Sequence, residues 1–192
     1  ELDLTWRNVD LKVQSATTGE DGRDLVILVT PKSRHRLAPL LTVEPGMLWN
    51  RPGHVTRDSE MLIGHCGGRT VVVYGTEKRI DDPYIAAQTP YLALPLAGPV
   101  GISTGQRRTV EEIQALMEER RQEHLEAREA FEPLGDVYAA IQTCMAWDTI
   151  YEPENERVVS PVSRIWNINW GGFVLFDGDT YFAAYLAALD NR

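Results

Sequence analysis

The chain has 192 residues, 43% of them hydrophobic and 24% charged, which is the composition of an ordinary globular protein and excludes a disordered or fibrous class. A formal net charge of -9 opposes phosphate backbones and anionic bilayers, both of which are bound through clustered Lys and Arg, so nucleic acid and membrane are set aside as partners. No apolar run reaches the roughly 18 residues needed to cross a bilayer, and the opening ELDLTWRN lacks the basic and then apolar segments of a signal peptide.

A chain of this length buries about 70% of its unfolded surface, enough for one domain or for a small domain and part of another, and two unequal pieces are expected. Cys66 and Cys144 lie in different segments without a CxxC, and only His65 stands beside one of them. They read as reduced, mostly buried thiols, which points to a cytoplasmic protein. No spacing of ligands specifies a metal or a cofactor.

Residues 1 to 100 read as β structure. Leu2, Leu4 and Trp6 alternate with polar residues, as do Val9, Leu11 and Val13, and each run fits a half-buried strand. Thr17 to Asp24 carries two glycines and reads as a turn. LVILVT, ended by Pro31, and TVVVY at 70 to 74 are continuous β-branched runs, and prolines from 31 to 99 make helices improbable. Short strands with regular turn signals predict an antiparallel β-sandwich.

Gly98 to Gln106, with its glycines and proline, reads as the boundary of this piece. Thr109 and Glu112 then form a capping box. The helix that follows carries Val110, Ile113, Met117 and Leu125 on a narrow apolar stripe among Glu and Arg, so residues 101–135 are expected to be a mostly solvated linker helix. Asp136 is expected to cap the next helix, with Val137, Ala140, Ile141, Cys144 and Trp147 or Asp148 at 3.6-residue spacing and Ile141 and Trp147 facing inward. FVLF at 173–176 reads as extended, and a last helix starts at Asp179 or Thr180 with Phe182, Ala183, Leu186 and Leu189 inward.

Between those two helices lies a loop of about thirty residues, a length that is usually functional or disordered, and its tryptophans oppose disorder. Trp147, Tyr151, Trp166 and Trp170 offer flat faces on which the apolar C–H side of a sugar stacks. Asp148, Arg164, Asn167, Asn169 and Asp179 offer charged and amide groups for its hydroxyls. Each residue also has a plainer role: Asp179 as a helix cap, Trp166 and Trp170 as core, Arg164 as a clamp on Glu152, Glu154 or Glu156. His35, His54, His65 and His124 stand alone and are assigned no chemistry.

WDTIYEPENERVVSPVSRIWN, followed by GGFVLFDGDTYFAAYLAALDNR, resembles the start of the helical barrel of glycoside hydrolase family 63 and its mannosylglycerate- and glucosylglycerate-hydrolase-like relatives. The likeness covers about 55 residues through the W-x-T-I-Y-x-P-E-N and S-R-x-W strings; the preceding 135 residues agree in architecture only. It implies an α+β chain in three parts: a β-sandwich at 1–100, a linker helix at 101–135 and the start of an (α/α)6 barrel at 136–192. It further implies inverting hydrolysis of an α-glucosidic or α-mannosidic bond, in which one carboxyl group protonates the leaving oxygen and a second activates water. Asp179, in the D-T-[YF]-F string with Tyr181 and Phe182, resembles the carboxylate that grips the innermost sugar.

The general acid and base of that family lie on later helices, so catalytic residues are expected beyond Arg192, with the remaining helices supplied by a second chain or a longer parent. Relatives carry Trp before this aspartate where Gly178 stands here, which removes a stacking face and loosens the backbone. The competing reading is a non-catalytic carbohydrate-binding or assembly module.

Overall fold

A computed structural model describes residues 1–19, 22–47, 51–81, 85, 90–152, 155–160 and 177–190. The chain is α+β and divides into two compact units, Glu1–Gln122 and Glu123–Arg192. Among the described residues no helix is long and apolar enough to cross a membrane.

The first unit is built on strands β1 (Leu2–Trp6), β2 (Val9–Thr18), β3 (Asp24–Pro31), β4 (Leu40–Val43), β5 (Gly53–Asp58), β6 (Met61–Cys66), β7 (Arg69–Gly75), β8 (Leu92–Pro95) and β9 (Val100–Thr104). Seven of them form one sheet in the order β1-β2-β3-β9-β7-β6-β5, while β4 and β8 pair as a second, smaller sheet. Every neighbouring pair is antiparallel, as the alternating and β-branched runs predict. The strands claim more of the chain than the sequence suggests, because Thr17 and Thr18 close β2 and Asp24 opens β3, leaving a shorter turn between them.

Side-chain alternation gives the large sheet two covered faces. On one face Val29, Leu62 and Val100 pack with Leu92, Leu94 and Leu96, and Val13, Ile27, Leu41 and Val73 close around them, so the small sheet lies over this side. Gly75 faces the same way; a Cβ there would sit 2.7 Å from Leu94 Cδ1, and its absence admits the leucine. On the other face Val26 and Leu28 meet Ile113 and Met117 of helix α1 (Val110–Glu129).

Two expectations change here. Gly98–Gln106 is not a boundary, since it contains β9, which lies between β3 and β7 and is buried from Val100 to Ser103. Nor is α1 simply solvated, because Ile113 and Met117 are buried against the sheet, each contributing roughly 1.5–3 kcal/mol as an upper figure. The capping box is as expected: Thr109 N–H donates to Glu112 Oε2 at 2.7 Å and Glu112 N–H to Thr109 Oγ1 at 3.2 Å.

The second unit begins within α1 and continues through a 3-10 turn at Glu132–Leu134, helix α2 (Gly135–Asp148), the hairpin β10 (Ile150–Glu152) and β11 (Arg157–Val159), and helix α3 (Asp177–Asp190). Phe131 stacks on Tyr138 with ring centroids 4.3 Å apart, and Arg128 pairs with Asp136. Gly135 is buried, and a Cβ on it would meet Arg128 at 3.0 Å, so the bend between α1 and α2 is close-packed. Asp136 therefore does not cap α2. Leu134 holds the cap position without a side-chain hydrogen bond, and Asp136 sits one residue inside, where its charge faces Arg128 and the positive helix end.

Candidate functional site

The residues proposed to meet sugar belong to the second unit. The last turn of α2 carries Trp147 and Asp148, and the helix stops at Thr149, whose backbone is extended (φ -87°, ψ 129°). Thr149 Oγ1 donates back to Met145 O at 2.5 Å, which satisfies one of the carbonyls a helix end leaves open. The chain then enters β10 directly, so the helix end and the hairpin form a continuous junction. Tyr151 lies in that hairpin opposite Val158, with Glu152 opposite Arg157. The expected loop thus opens with an ordered β-hairpin, which a period of two over only three residues cannot announce.

At this junction Trp147 is 63% exposed and Tyr151 56%, while Asp148 is half-buried. On α3, Asp179 is exposed, and Tyr181 and Phe182 are exposed at 70% and 73%. Asp179 stands in the first turn of a helix that begins at Asp177, so the helix starts before the predicted position and Asp179 is not its cap. Carboxylates in a first turn are favoured by the helix dipole. Arg164, Trp166, Asn167, Asn169 and Trp170, and the FVLF segment at 173–176, lie outside the described residues.

The inward faces assigned to these helices need correction. On α2, Val137, Ala140, Cys144 and Trp147 of the expected stripe are exposed while Ile141 and Asp148 are half-buried; Tyr138, Ala139, Gln142 and Met145 share that partial burial. Cys144 is thus an exposed thiol, and Cys66 is half-buried. On α3, Ala183 and Leu186 are half-buried as expected while Phe182 faces outward. Helical spacing names a stripe but not what covers it.

The first unit holds two features that the sequence reading did not find. A cleft of about 510 Å³ lies between the end of β7 and the start of α1, lined by Thr76, Glu77, Arg107, Arg108 and Glu111 among others. Its arginines are engaged: Arg107 lies over the Tyr74 ring at 5.1 Å, and Arg108 donates to Thr104 O, Gln106 O and Thr18 Oγ1. The helix end beside them is occupied by the Glu112 carboxylate. The second feature is a ring pair, His54 and His65, with centroids 4.8 Å apart. Strand pairing makes the histidine pair, and pairing register is not written in local spacing.

No known protein family, curated protein or solved structure matches this chain.

Proposed function

We propose that this chain is the N-terminal portion of an inverting α-glycosidase acting on α-glucosidic or α-mannosidic bonds, as the resemblance to glycoside hydrolase family 63 implies. The observation that carries the reading is the W-x-T-I-Y-x-P-E-N string, whose Trp147 and Tyr151 stand exposed on either side of the junction between α2 and β10. Exposed aromatic faces beside Asp148, with Asp179, Tyr181 and Phe182 on α3, are the groups from which a sugar subsite is made.

In this reading α2 and α3 are the first helices of an (α/α)6 barrel, and further barrel helices cover Val137, Phe182 and Tyr185, which are 53%, 73% and 68% exposed. The general acid and general base belong to those further helices, and the residues of this chain bind and orient sugar without transferring a proton. No cofactor takes part, since two carboxylates suffice for the chemistry. Two free cysteines accord with a reducing, cytoplasmic setting.

The test is to assay α-glucosides and α-mannosides, including their glycerate forms, with these 192 residues joined to the polypeptide that supplies the remaining helices. Sugar release with inverted anomeric configuration, followed by NMR, is the expected result; no release from any of them rejects the glycosidase reading. Calorimetric sugar binding without hydrolysis in that complete protein would instead favour a non-catalytic carbohydrate-binding module.

A further inference from the structure

We propose that His54 and His65 form a two-imidazole site for a divalent transition-metal ion of the nickel, copper and zinc group. The two residues are direct partners in the antiparallel register of β5 and β6, so their side chains leave the sheet on the same face. Their ring centroids are 4.8 Å apart with planes inclined by 34°, near enough for one ion to bridge a nitrogen of each.

The next strand sets the chemistry of His65. Thr70 of β7 is its partner on the other side, and His65 Nδ1 lies 3.0 Å from Thr70 Oγ1. With Nδ1–H donating to that hydroxyl, the Nε2 lone pair is left for a metal, and the ring is held in orientation; a hydrogen bond on the far nitrogen is how proteins position a ligating imidazole. His54 is exposed and His65 half-buried, so the ion reaches the pair from solvent.

Neutral imidazole nitrogens select ions of intermediate softness over Mg²⁺ or Ca²⁺, which require oxygen ligands. Among the described residues no group of three or more His, Cys, Asp or Glu is placed to hold a metal, so water fills the remaining positions and the ion is exchangeable. Both ligands stand on paired strands, and little order is lost in bringing them together. Cys66 follows His65 but leaves the sheet on the opposite face, by strand alternation, and belongs to no part of the site.

The experiment is calorimetric titration of the full chain with Ni²⁺, with thermal unfolding measured in parallel. One equivalent is expected to bind and to raise the melting temperature, because the paired ligands exist only in the folded chain. His54→Ala and His65→Ala each weaken binding at least roughly tenfold, Thr70→Val weakens it less, and Cys144→Ser leaves it unchanged. Circular dichroism confirms that the variants fold. No saturable binding by the parent chain overturns the proposal, as does undiminished affinity in either histidine variant.

Discussion

Gly101 and Ile113 are locked in shape: a Cβ on Gly101 would lie 2.5 Å from Ile113 Cδ1 and 2.9 Å from Thr76 Cγ2. Gly101 sits in β9, and its bare backbone is the surface onto which α1 seats its fully buried isoleucine. Its N–H also donates to Thr76 Oγ1 at 2.9 Å, so neither the strand nor the loop beside it is free to retreat.

Gly101→Ala is therefore expected to destabilise the first unit by about 1–3 kcal/mol, and Gly101→Val by more, as an overpacked core does. Urea unfolding measures this directly. If Gly101→Ala unfolds at the same midpoint as the parent chain, Ile113 does not pack where the structure places it.

Thr109 offers a second test on the same helix. It closes a reciprocal capping box with Glu112, and Thr109→Ala removes the hydroxyl acceptor for one of the open N–H groups at the helix start. A loss of about 1 kcal/mol is expected. Thr109→Ser keeps the oxygen and should unfold within a few tenths of a kcal/mol of the parent, which separates capping from the loss of the methyl group.

The fate of Gly101 shows why some elements were legible and others were not. LVILVT and TVVVY gave themselves away as β3 and β7 because unbroken β-branched and apolar runs of this length favour the pleated strand. Val100–Thr104 is buried more deeply than either, yet glycine in GPVGIST read as punctuation, when at Gly101 it answers to Ile113 of the following helix. The capping box is local chemistry and was readable. Asp136 was misread because Arg128, its partner, comes from the preceding helix. The His54–His65 pair was invisible for a related reason: eleven residues of separation mean nothing until the hairpin register is known. In the candidate site, spacing could not tell that Val137, Cys144 and Phe182 face outward.

Trp147 separates binding from folding. Its ring is 63% exposed, so Trp147→Ala is expected to cost about 1 kcal/mol of stability or less. On the proposed function, the same change removes a stacking face and weakens sugar binding roughly two- to tenfold, at about 0.5–1.5 kcal/mol for an aromatic contact. Titration of parent and variant with methyl α-glucoside or methyl α-mannoside, followed by calorimetry, reads the difference. Equal affinity for the sugar that the parent binds would remove Trp147 from the subsite.

The pair Asp3 and Lys32 gives a pH-dependent signal at the edge of the large sheet. Lys32 Nζ lies 2.8 Å from an Asp3 carboxylate oxygen, and the hydrogen bond from Lys32, aided by the charges of Lys32 and Lys12, holds the Asp3 carboxyl below its ordinary value. Lys12 stands directly across from Asp3 on β2. A carboxyl group depressed in the folded state stabilises it above the unfolded value, about 3.9, and that contribution disappears as pH falls through the lower folded value. Asp3 is exposed, so the effect on stability is small and the titration itself is the better measurement. Carbon-detected NMR of the Asp3 carboxyl is expected to show a midpoint below that of a free aspartate. Lys32→Ala should move it upward, and 1 M salt should do the same by shortening the screening length to about 3 Å. A midpoint unmoved by Lys32→Ala would mean that the ion pair does not persist in solution.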